Sequence, residues 1–146
     1  MEVEIDNEQW MRNALQMSLN SGDPHKKVGC ILVYKAKYNR SIGIGGYNHI
    51  PRLLEPLSYK DENDKTRPEV IHAEYHVMQK LLQSSVLLGT RKQQYKIFCT
   101  LSPCMDCAKL IYISGIKELY YNEEYKDPKP MNFLKSLGVV CQQIKI

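Results

Sequence analysis

His72-Ala73-Glu74 and Ser102-Pro103-Cys104-Met105-Asp106-Cys107 are the two stretches from which the rest of this sequence is read. The second supplies two thiolates three residues apart, directly behind a proline. The first supplies an imidazole and, two residues on, a carboxylate. One His and two Cys make three protein ligands for zinc and leave the fourth tetrahedral position open. A closed structural site calls for a fourth ligand at similarly regular spacing, and none stands out. Three ligands and a nearby Glu describe a hydrolytic centre in which a carboxylate moves protons.

The spacing also says where these residues sit. Pro103 can open a helix, because a missing N–H costs nothing at that position. Cys104 and Cys107 are then i and i+3, share a face, and occupy a first turn whose dipole favours thiolates. His72 opens another helix. His72 and Glu74 would not share a face of a regular helix, so the Glu side chain has to fold back at the helix start to meet the metal site. Duller readings stand beside this one. Cys104-x-x-Cys107 could be a redox pair, which leaves His72 and Glu74 without a part. His72 and His76 could form His-x-x-x-His, but the protease version needs Glu where Ala73 stands. His76 reads as a packed or solvated residue, and His25 and His49 as loop residues. A non-catalytic zinc-stabilised interaction module is the alternative from another class, and it leaves Glu74 idle.

Working outward, Asp6 and Gln9 mark the start of a helix over 7–20, with Met11, Leu15 and Leu19 at helical spacing. Residues 28–34 read as a buried strand, 35–40 as a turn, and 41–47 as a returning glycine-rich strand. Residues 48–68 show no period and hold Pro51, Pro56 and Pro68. A loop this long inside a compact domain is usually functional, and here it is expected to roof the site. A helix over 70–84, a turn at Gly89–Lys92, a strand over 95–100, a helix over 103–114 ending at Gly115 and a strand over 116–121 follow. A helix over 129–137 ending at Gly138 and a strand over 139–144 complete the chain. This order implies one α/β domain over 1–146, with a five-stranded mixed sheet and helices on both faces.

Composition excludes several classes. The chain has 146 residues, 43% hydrophobic and 25% charged, with net charge +4. Those fractions suit an ordinary globular domain. Its basic residues interleave with acids between Arg52 and Arg67, so no nucleic-acid face is expected. Met1–Trp10 is polar and acidic, unlike a signal peptide, and no apolar run is long enough to span a membrane. Five cysteines then point to a reducing, cytoplasmic setting. Cys30, Cys99 and Cys141 are expected to be small core residues.

The H-x-E … P-C-x-x-C arrangement resembles the signature of zinc nucleobase deaminases. The likeness extends from about Trp10 to Val140. Ser21-Gly-Asp-Pro24, Val28-Gly-Cys-Ile-Leu-Val33, Gly43-Ile-Gly-Gly-Tyr-Asn48, Arg67–Glu74 and Cys107–Lys117 resemble deoxycytidylate (dCMP) deaminases. The resemblance implies a three-layer α/β/α cytidine-deaminase-like fold. It implies zinc on His72, Cys104 and Cys107, with Glu74 carrying protons from water to the ring nitrogen and the departing amine. Asn48 would meet the sugar or the 5′-phosphate side, and backbone at Ala73 and Ser102 the pyrimidine edge. The reaction implied is dCMP plus water giving dUMP and ammonia, for thymidylate synthesis. Such enzymes are commonly homo-oligomers (hexamers or dimers), and many respond to dCTP and dTTP. The chain departs from its relatives at Tyr75-His76-Val77 and at His49–Leu54. Lys26, Lys27, Arg52 and Lys109 are the phosphate candidates. Rival readings on the same site are a tRNA-type deaminase and a free-base or nucleoside deaminase.

Overall fold

The computed structural model describes residues 6–84 and 94–146; the turn expected at Gly89–Lys92 lies outside them. Nine main elements alternate: α1 Asn7–Ser18, β1 Gly29–Lys35, β2 Ser41–Tyr47, α2 Ala73–Gln83, β3 Lys96–Leu101, α3 Met105–Ile113, β4 Glu118–Glu123, α4 Lys129–Ser136 and β5 Val140–Gln143. The sheet order is β2-β1-β3-β4-β5. β1 runs antiparallel to both neighbours, while β3, β4 and β5 are parallel. The expected five-stranded mixed sheet is therefore present.

Residue alternation along β1 explains the layers. Cys30 and Leu32 face a cluster with Ala73 and Val77 of α2, Ala108 and Ile111 of α3, and Met131 and Leu134 of α4. Ile31 and Val33 face the opposite way, against Trp10, Met11 and Ala14 of α1 and Phe98 of β3. A strand buried on both faces needs no polar alternation, which is why 28–34 reads as a continuous apolar run. Among the described residues, helices cover both faces, one on one side and three on the other.

Local chemistry sets the ends. Asp6 Oδ1 accepts from Gln9 N at 2.8 Å and caps α1, as its spacing predicts. The apolar stripe is rotated. Met11 is buried as expected, but Leu15 is half-buried and Leu19 is 70% exposed, and Trp10, Ala14 and Ser18 complete the buried face. α3 gives way at Gly115 and α4 at Gly138, both at positive φ (80° and 85°), the left-handed conformation that glycine adopts without strain. Cys30 and Cys99 are fully buried, and Cys141 is half-buried against the same core.

The long loop is folded rather than formless. His49 and Ile71 exchange backbone hydrogen bonds at 3.0 and 2.8 Å, which anchors the loop one residue before His72. Lys60 and Thr66 form a second antiparallel bridge. Between them Asp61 Oδ1 accepts from Asn63 N and Lys65 N at 2.8 and 3.0 Å, and Asp64 takes a positive φ of 60°. Asp side chains that mimic a backbone turn do this without any hydrophobic period.

Candidate active site

The parallel strands carry the site at their carboxyl ends, the usual place for ligands in open α/β sheets. β3 runs into Ser102-Pro103-Cys104, and β4 ends beside it, with Ser102 N donating to Glu123 O at 2.9 Å. Both helices start later than spacing predicts. Cys104 is the N-cap of α3 and His72 the N-cap of α2, each with extended backbone. That shift resolves the His72–Glu74 geometry. Because His72 is not yet helical, its ring can turn inward beside a carboxylate two residues on.

The three expected ligands converge. His72 Nδ1 lies 3.6 Å from Cys104 Sγ and 3.4 Å from Cys107 Sγ. All three ligand atoms fall within 4.8 Å of one another. Ordinary Zn–S and Zn–N bond lengths at a tetrahedral angle put N and S about 3.6 Å apart, so the donor set fits zinc through Nδ1. Its electrostatics agree. A hydrogen bond from Cys107, helped by His72, pushes the Cys104 thiol down to about 4. As the donor in that bond, and by burial, Cys107 is pushed up. His72 is pushed up by its bond to Cys104. A cation among these donors takes the place of the shared protons.

Glu74 is 4% exposed. Burial raises its pKa, while a bond from its own N–H and the nearby His72 pull the other way. It opens onto a cavity of about 630 Å³ that also touches His72, Ala73, Ser102, Cys104 and Asn48. Every site residue read from the sequence except Cys107 lines that cavity, and Cys107 is buried with its Sγ 3.4 Å from His72 Nδ1.

Asn48 is already engaged. Its Oδ1 accepts from Val28 N at 2.8 Å. Its Nδ2 donates to Lys26 O at 2.9 Å and to Asp23 Oδ2 at 3.3 Å. One Oδ1 lone pair is left for a ligand. Ser102 Oγ accepts from Tyr125 N at 2.6 Å, which fixes the segment after β4 to the cavity wall.

Sequence reasoning missed several cavity residues. Lys60, Asp64, Lys65 and Thr66 come from the small hairpin in the long loop, and Tyr125 and Lys126 from beyond β4. Of the four phosphate candidates, Lys26 lines the cavity; Lys27, Arg52 and Lys109 do not. Lys26 Nζ is paired with Glu123 Oε2 at 2.5 Å. His76 packs, as expected, with its ring 4.8 Å from Tyr47 and 4.4 Å from His49.

Residues 4–123 match the family described as the cytidine and deoxycytidylate deaminase zinc-binding region. The chain belongs to this family. It is thus a hydrolytic deaminase, and the matched region together with the His72–Cys104–Cys107 cluster points to zinc. This deaminase is 31% identical over 145 residues to ComE operon protein 2 of Bacillus subtilis, covering 96% of the chain and 71% of that protein. It is 32% identical over 127 residues to human deoxycytidylate deaminase, covering 82% of the chain and 66% of the human protein. Among solved structures it resembles the dCMP deaminase of cyanophage S-TIM5 in complex with dCMP and dUMP. The TM-score is 0.80 at 30% identity, covering 97% of this chain and 100% of that one.

Proposed function

We propose that the chain acts as a single zinc-dependent deaminase domain, converting dCMP to dUMP with release of ammonia and supplying dUMP for thymidylate synthesis. One observation carries the choice of a phosphorylated substrate. Lys26, Lys60, Lys65 and Lys126 reach one cavity from three separate segments, with Glu74, His72 and Cys104 in the same cavity wall. A free base or nucleoside has no use for that charge. Lys26 and Lys60 are neutralised in part by Glu123 and Asp64, so Lys65 and Lys126 are the cations this reading assigns to the 5′-phosphate. The named dCMP deaminases among the relatives support the same substrate.

His72, Cys104 and Cys107 would hold zinc, which when bound supplies a Lewis acid that acidifies water at neutral pH. The remaining steps belong to the chain. Glu74, through a carboxylate oxygen, takes a proton from the water attacking C4 and hands it to ring N3. It then moves the second water proton to the exocyclic amine, which leaves as ammonia while C4 keeps the oxygen. Burial suits Glu74 to this work, because a carboxylate of raised pKa gives up its proton less readily to bulk water and holds it for transfer. Ala73 N–H, a free donor in the first turn of α2, binds the pyrimidine carbonyl. The Ser102 carbonyl accepts from the amine, and the spare Asn48 lone pair meets the sugar. We assign the protein to the cytoplasm as a homo-oligomer, with dCTP and dTTP as its candidate effectors. Among the described residues no helix is long and apolar enough to cross a membrane.

Ammonia release by zinc-loaded protein tests this against dCMP, dCTP, deoxycytidine, guanine and a tRNA anticodon stem-loop, with Glu74→Ala as control. Turnover of dCMP alone, lost in the variant with zinc retained, is expected. Turnover only of the stem-loop would move the protein to polynucleotide substrates, and an active Glu74→Ala would remove the assigned proton carrier.

A further inference from the structure

One row of register partners crosses the sheet beneath the start of α2: Gly46, Cys30, Cys99 and Tyr121. Its side chains face the same core cluster as Ala73 and Val77. At Gly46 a Cβ would stand 2.8 Å from Val77 N and 2.9 Å from Ala73 O, so the first turns of α2 rest on bare backbone there. The next two positions hold fully buried thiols with their sulfurs 3.2 Å apart, Cys30 donating to Cys99. Both sulfurs and a Glu74 carboxylate oxygen lie within 4.8 Å of one another. Glu74 also lines the cavity, so its carboxylate stands between the thiol pair and the space where substrate would lie. The fourth position, Tyr121, is large and closes the row.

We propose that Cys30 and Cys99 are positioning residues for Glu74: the two sulfurs form the floor on which its carboxylate rests and so set its height beside His72, Cys104 and Cys107. This rests on the reading of Glu74 as the proton carrier. A thiol suits the place because it is small and a weak donor. It fills space under the carboxylate without tying either oxygen into a strong hydrogen bond. A β-branched side chain at 99 would push the carboxylate toward the cavity, and an alanine would let it sink.

Steady-state dCMP kinetics on zinc-loaded Cys99→Val and Cys99→Ala test this, with zinc content and a crystal structure of each variant. Misplacing a reacting group by about an ångström can cost on the order of a hundredfold in rate. The expected result is kcat lowered by about tenfold or more in Cys99→Val, with KM within about threefold. Zinc per chain should be unchanged, and the carboxylate displaced relative to His72. If Cys99→Val fails to fold, Cys99→Ala carries the test, because it removes atoms and adds none. Unchanged kcat, or a loss matching a loss of zinc, would overturn the proposal; so would a carboxylate that stays in place. Glu74→Gln separates the two readings. Full activity there sinks the proton-carrier assignment, whereas an inactive Glu74→Gln beside unaffected Cys99 variants sinks only the floor.

Discussion

Asn48→Ala should unfasten one wall of the cavity before it touches the chemistry. In the native protein Asn48 is 7% exposed and makes three hydrogen bonds, to Val28 N, Lys26 O and Asp23 Oδ2. Each such bond contributes about 1 kcal/mol net. Truncation to alanine removes all three and leaves their partners poorly satisfied, a destabilisation of about 3 kcal/mol in total. For a chain of this size that corresponds to a fall in Tm of roughly 6–12 °C. The proposed sugar contact of Asn48 Oδ1 goes with the side chain, so KM for dCMP should rise more than kcat falls. The assay is thermal unfolding of wild type and variant at the same saturating zinc, because bound metal stabilises the fold in its own right. A Tm within a degree or so of wild type, measured under that condition, would refute the bond accounting. A loss of kcat with no change in Tm would instead make Asn48 a direct participant in the reaction.

Lys65→Met combined with Lys126→Met should raise KM for dCMP by on the order of tenfold or more, the cost of losing about 1.4 kcal/mol of charged contact. Turnover of deoxycytidine at high concentration should be unchanged in the same variant, and parallel losses on both substrates would argue against phosphate contacts. Cys104→Ser should lose zinc, measured as metal per chain, and with it all turnover. Serine is a good N-cap where Cys104 makes no capping bond, so in chelator the variant should match or exceed wild type by up to about 1 kcal/mol, reversing the order seen with zinc.

The site was legible because its chemistry is packed into two short motifs. Metal ligands have few spacings that work, and the proposed ligands His72, Cys104 and Cys107 use one of them. The strand reading succeeded for the same kind of reason: β1 is buried on both faces, so its run is unbroken. The hairpin closed by the Lys60–Thr66 bridge stayed hidden because it is held by the Asp61 carboxylate and the left-handed Asp64. A search for hydrophobic period cannot detect such bonds. Lys60, Lys65 and Lys126 share the same limit, since the hairpin pair and Lys126 lie some sixty residues apart in sequence and meet only once loop and sheet are placed. Cys30 and Cys99 were read correctly as core residues. That they are neighbours depends on β1 lying between β2 and β3, and nothing in the hairpin signal requires it.

The two helix starts show why His72 and Cys104 sit just ahead of their helices and not inside the first turn, where spacing alone places them. His72 and Cys104 are N-caps, and neither makes the side-chain hydrogen bond that a serine or aspartate would supply there. Capping is worth about 1 kcal/mol per helix, so both helices forgo that stabilisation. In exchange, the two free N-terminal ends converge on one place, each bringing unbonded N–H groups and a partial positive charge. That field favours the thiolate form that a metal needs. It also leaves Ala73 N–H unclaimed at the edge of the cavity. A ligand set placed one turn further into either helix would find those donors already closed into i to i−4 bonds. The N-cap position alone offers a side chain turned inward and a free backbone donor in the next residue.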